Sequence, residues 1–113
     1  MTPREFIDKH LQDDSQFRSW LLRFASRDLV GNAHMPETCP IGMFAKAVGF
    51  ERACIGAIGI GQHVGGSHTP TCNIIKPPQW VTNFIRQVDG YHRRGTGVTA
   101  SDASVYLDQK FKL

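Results

Sequence analysis

The sequence predicts an α+β fold, with about five helices and one two-stranded antiparallel β-hairpin between the third and fourth helices, in a single domain over residues 1–113. Three observations lead there. Apolar residues recur at helical spacing in several separate stretches. Residues 53–60 are apolar and glycine-rich without that period, and a second apolar run at 71–76 is stopped by Pro77 and Pro78. The chain has 113 residues, 41% hydrophobic and 20% charged, enough to bury one core without a metal or disulfide to hold it.

The first helix opens at Thr2, a good N-cap, with Pro3 in its first position and Glu5 completing a capping box. Phe6, Ile7, His10 and Leu11 form its apolar stripe. Asp13, Asp14 and Ser15 interrupt it and cap a second helix over residues 15–27, where Phe17, Trp20, Leu21 and Phe24 are spaced i, i+3, i+4, i+7. Residues 28–38 read as a loop, broken by Gly31, Asn32 and Pro36. Thr38 is the expected cap of a third helix, with Pro40 in its first turn, Ile41, Phe44, Ala45 and Val48 facing inward, and Gly49 just beyond its end. The two hairpin strands follow, joined by residues 61–70, a connection longer than tight hairpins use. A fourth helix begins after Pro78 and presents Trp80, Val81, Phe84, Ile85 and Val88. Residues 91–97 form a basic, glycine-bearing loop. Thr99 then caps a last helix, with Asp102 at capping-box spacing and Lys110 and Lys112 at its end.

Cys39-Pro40-Ile41 at a helix start, a hairpin, the run Pro78-x-Trp80-Val81-x-x-Phe84-Ile85-x-x-Val88-Asp89, and Val98-Thr99-Ala100-x-x-Ala103-x-x-x-Leu107 together resemble a group of small bacterial and phage proteins. These pieces cover about two-thirds of the chain. The resemblance implies the element order and a bacterial or phage setting, and it supplies no catalytic residue.

Charge and composition narrow the function. The chain carries 13 Lys/Arg against 10 Asp/Glu, a formal +3, with the excess after residue 40: five against six before it, eight against four after it. That excess is mild for a nonspecific nucleic-acid binder. No apolar run reaches the ~18 residues that span a membrane, and residues 1–14 lack the apolar core of a secretory signal, so the cytoplasm (of the host cell, if phage-encoded) is the expected compartment. Cys39, Cys54 and Cys72 are an odd set, expected to be reduced thiols rather than a disulfide framework.

Four places carry possible chemistry. Cys54, His63, His68 and Cys72 are ligand types that suit zinc, but their spacing lacks the close Cys-x2-Cys pair of specific zinc patterns, and the expected alternative is two exposed loop histidines and two buried thiols. Cys39, in a first helical turn with His34 five residues before it, is a candidate reactive thiol, against a small residue packed under the helix start. The glycines from Gly56 to Gly66 lack the following helix and the Gly-Lys-Ser/Thr of nucleotide loops. Tyr91, His92, Arg93 and Arg94 form a basic loop suited to phosphate or to an acidic protein surface, with Lys76, Arg86, Lys110 and Lys112 as possible extensions. The expected function is a non-enzymatic protein-interaction module with no cofactor, using His63, His68, Tyr91, His92, Arg93 and Arg94, for example an inhibitor of a host defence machine encoded by a phage or mobile element. A nucleic-acid-binding accessory protein and a small zinc- or cysteine-dependent protein are the alternatives.

Overall fold

Local hydrogen bonding sets most of the helix starts. In the computed structural model, which describes residues 1–63 and 72–109, the Glu5 amide donates to Thr2 Oγ1 at 3.1 Å and the Thr2 nitrogen donates to the Glu5 carboxylate at 3.3 Å. This reciprocal cap opens α1 (Pro3–His10). The Ser15 amide donates to Asp13 Oδ1 at 2.9 Å where α2 (Ser15–Leu21) begins. The second helix therefore ends at Leu21 and not at Arg27. The Arg23 and Phe24 amides bond back only three residues, to the Trp20 and Leu21 carbonyls, and Asp28 takes the Ala25 amide at 2.9 Å, which turns the chain out of the helix.

The segment expected to be loop contains β1 (Leu29–Asn32). α3 (Pro40–Ala47) follows, and its N-cap is Cys39, one residue later than the expected Thr38; Cys39 Sγ accepts the Gly42 amide at 3.4 Å. Its other end matches the sequence reading. Gly49 has φ +94°, its amide bonds the Lys46 carbonyl, and the Phe50 amide reaches the Ala45 carbonyl at 2.8 Å. That is a Schellman closure, with Phe50 fully buried as its apolar clasp.

The expected two-stranded hairpin is a three-stranded meander. β2 (Ala53–Ile55), β3 (Ile60–Gln62) and β4 (Cys72–Ile75) pair antiparallel in that order, with Cys54 opposite Gly61 and Ile60 opposite Ile75. The run read as one strand, 53–60, folds back on itself because the Gly56 amide bonds the Gly59 carbonyl at 2.9 Å and closes a tight turn inside it. α4 (Gln79–Tyr91) comes next, then β5 (Gly97–Thr99) and α5 (Ala100–Asp108), whose Asp102 amide donates to Thr99 Oγ1 at 3.1 Å. β5 pairs antiparallel with β1 across a bulge, a two-stranded sheet that no local pattern announces.

The core lies between these layers. α3 packs on β1 and β2, α1 on β3 and β4, and α4 on α5. Phe17 is at its aromatic centre, with ring centroids 5.1 Å from Phe84, 5.5 Å from Phe44, 5.8 Å from Trp20 and 6.0 Å from Trp80. The Trp80 indole N–H donates to the Leu11 carbonyl at 2.9 Å, which fastens α4 to the end of α1. Among the described residues no helix is long and apolar enough to cross a membrane.

Candidate functional site

The basic loop after α4 is held from several sides. The His92 amide closes the helix on the Val88 carbonyl at 3.0 Å. The Thr96 amide and hydroxyl both donate to the Arg93 carbonyl, at 3.1 and 2.7 Å, which makes a turn with Gly95 at φ +80°. Beyond the last β1–β5 pair the ladder continues into this turn: the Ala33 amide donates to the Thr96 carbonyl and the Gly95 amide to the Ala33 carbonyl, both at 2.8 Å. His34, itself at φ +60°, adds a clamp. Its Nε2–H donates to the His92 carbonyl at 2.8 Å, and its backbone N–H donates to Asp89 Oδ1 at 3.2 Å.

The side chains of the loop divide into two sets. His92 turns inward, with Nε2 2.8 Å from the Tyr106 hydroxyl and 4.0 Å from Asp102 Oδ2, and its side chain is 15% exposed. Desolvation first, then the nearby Asp102 and Tyr91, push the Tyr106 hydroxyl above its ordinary pKa. Tyr91 lies flat on Tyr106, with centroids 5.4 Å apart and planes 4° from parallel, yet it remains 67% exposed. Arg93 and Arg94 are exposed, and neither has an ion-pair partner among the described residues. Asp89 and Tyr106, which the sequence reading did not single out, supply the supports. Asp89 carries no local signal, because its partner His34 is 55 residues away in sequence.

The other candidate residues are arranged differently from the expectation. His63 is not an exposed loop histidine. Its side chain is 4% exposed, its Nε2–H donates to Glu37 Oε1 at 2.8 Å, and its amide extends the meander to the Arg52 carbonyl at 3.0 Å. The loop expected to begin at residue 61 thus begins later, because β3 includes Gly61 and Gln62 and His63 continues the pairing. The buried Nδ1 atom of His63 has no hydrogen-bond partner among the described residues. Cys54 is half-buried in β2 and not a fully buried thiol, and desolvation first, then Glu37, raises its pKa. His68 lies outside the described residues, and of Cys72 only the backbone in β4 is described. Among the described residues no group of three or more His, Cys, Asp or Glu side chains is placed to share a metal ion. Lys110 and Lys112 also lie outside the description.

Cys39 and His34 share one cavity, of about 170 Å³, which Met35, Ile55, Ile85 and Asp89 also line. The imidazole does not serve the thiol, however. Nε2 is committed to the His92 carbonyl, and Nδ1 faces Asp89 at 3.9 Å. Burial raises the Cys39 thiol from its ordinary 9.0 to about 11, and the Gly42 and Ile41 amides only partly oppose it. The thiol is neutral at pH 7 and a poor nucleophile.

A pKa raised in the folded state stabilises the fold below the ordinary value, and that stabilisation is lost as pH climbs toward the folded value. Cys39 should therefore lower stability between pH 9 and about 11 by roughly 2–3 kcal/mol, a slope that Cys39→Ala removes from urea melts taken across that range. At pH 7, iodoacetamide should label Cys54 well before Cys39. Rapid labelling of Cys39 in the folded protein would contradict this assignment. No family model, curated protein or solved structure matches this chain.

Proposed function

We propose that the protein is a non-enzymatic interaction module that docks an acidic surface of another protein through Tyr91, Arg93 and Arg94. The observation that carries this reading is the pair of exposed guanidiniums, without ion-pair partners among the described residues, on a turn fixed by main-chain hydrogen bonds to Ala33. Arginine forks on a preorganised backbone lose little entropy on pairing with carboxylates, and a rigid exposed tyrosine beside them adds contact area at low cost. The neighbouring carboxylates favour a protein over a nucleic acid. Asp89 and Asp102 flank the loop, so the cationic footprint is short, whereas a nucleic-acid backbone brings a continuous row of phosphates past it. The resemblance to small bacterial and phage proteins suggests a bacterial machine as the partner, with inhibition as the outcome of docking.

The experiment is a photo-crosslinking residue at Tyr91 in the native cell, with and without Arg93→Ala/Arg94→Ala. We expect one discrete cross-linked polypeptide, and affinity for that purified partner roughly tenfold to hundredfold weaker in the double variant. Unchanged affinity in the double variant would reject the reading. So would tight, salt-sensitive binding of DNA or RNA oligonucleotides by the wild type, which would assign the loop to phosphate instead.

A further inference from the structure

A groove between α2 and the end of α3 is independent of the basic loop. It has a volume of about 320 Å³ and is lined by Ser19, Trp20, Arg23, Phe44, Ala47 and Val48 among others. Its floor is aromatic and preformed. The Trp20 ring is held at 5.0 Å from Phe24, 5.7 Å from Phe44 and 5.8 Å from Phe17, so no side chain has to reorganise to create the space. Among the described residues its rim carries one cation. Arg23, just past the end of α2, is exposed and has no ion-pair partner among the described residues, in contrast to Arg18 within α2, which is shared between Asp14 at 3.0 Å and Asp108 at 2.8 Å. Gln16, also at the rim, is already spent on His10 Nδ1 and the Lys9 carbonyl, at 2.6 and 2.7 Å.

An open groove at the small end of the usual ligand range, with aromatic and aliphatic side chains on its floor, polar groups on its rim and at its edge a guanidinium that has no ion-pair partner among the described residues, is complementary to one chemical class. We infer that the groove binds a small amphipathic monocarboxylate, with its apolar body against Trp20 and Phe44 and its carboxylate paired with Arg23. The serine hydroxyls of Ser15 and Ser19 are the remaining polar groups of the rim and can donate to the same anion. A planar guanidinium meets a carboxylate through two parallel N–H···O bonds, so the charge preference should reside in Arg23 and the affinity for the apolar body in the aromatic floor.

The test uses two probes of equal shape, 4-phenylbutyrate and its neutral amide, titrated at pH 7 into isotopically labelled protein and followed by two-dimensional amide NMR. We expect saturable shifts of the Trp20 indole N–H and of the Ser19, Ala47 and Val48 amides, with the carboxylate binding at least fivefold more tightly than the amide. Arg23→Gln should reduce the carboxylate to the affinity of the amide and leave the amide unchanged. Ala47→Leu, which fills the groove from α3, should abolish binding of both. The inference is overturned if millimolar probe produces no saturable shift, if the shifting residues lie elsewhere, if acid and amide bind equally to the wild type, or if Arg23→Gln retains the preference for the acid.

Discussion

Replacing Phe17 with alanine should destabilise the protein by roughly 3–5 kcal/mol, the upper part of the range for aromatic truncation in a core. Phe17 is fully buried and contacts four aromatic rings contributed by α2, α3 and α4, two of them edge-on at 5.1 and 5.5 Å. Truncation removes the transfer free energy of the ring and leaves a void that Phe44, Phe84, Trp20 and Trp80 cannot close, because each is fixed by further neighbours or, for Trp80, by its bond to Leu11. Domains of this size have a total stability of about 5–15 kcal/mol, so a lowering of the melting temperature by roughly 12–20 °C is expected in calorimetry. Phe17→Leu, which keeps most of the volume, should recover more than half of the loss. A melting temperature within a few degrees of wild type for Phe17→Ala would show that the aromatic centre is not the keystone described above.

The second large effect is expected at Gly31, for a steric reason. A Cβ at this position would lie 2.5 Å from the Pro40 nitrogen, 2.7 Å from the Cys39 carbonyl carbon and 2.8 Å from the Thr38 oxygen. All three are backbone atoms, so no rotamer change relieves the clash. β1 has to move away from the start of α3, and the bond from the Asn32 amide to the Thr38 carbonyl, 2.8 Å, is stretched with it. We expect Gly31→Ala to cost about 3 kcal/mol in urea unfolding, the severe end of overpacking. Gly95 is the control. Its φ of +80° disfavours any other residue, but a Cβ there meets nothing within 4 Å, so Gly95→Ala should cost only about 1–2 kcal/mol. Equal costs at the two positions would mean that the contact of β1 with residues 38–40 is looser than described.

Much of this architecture is legible in the sequence where the determining interactions are local. The Thr2 cap, the Gly49 closure and the apolar faces of α1, α3 and α4 depend on residues within one or two turns of each other, and each appears at or within a residue of its expected position. The failures have two causes, long-range pairing and short turns that periodicity does not register. β1 and β5 exist only because each finds the other, and a run containing Gly31 and Asn32 has no strand signature of its own. The division of 53–60 into two strands depends on the turn between Gly56 and Gly59, which periodicity cannot reveal in so short a segment. The site divides along the same line. Tyr91, Arg93 and Arg94 stand exposed on the loop as composition suggests, whereas His63 and His92 were drawn inward by Glu37 and Tyr106, partners remote in sequence.

The pairing of Leu29 with Thr99 has a kinetic consequence. It closes a span of 70 residues, against 9 for the Ala53–Gln62 pair of the meander. With three doublings of span, ring closure costs about 2 kcal/mol more entropy before any contact repays it. The turn over residues 93–96 borrows its shape from that ladder, so its final form waits on a long-range closure that the meander does not need.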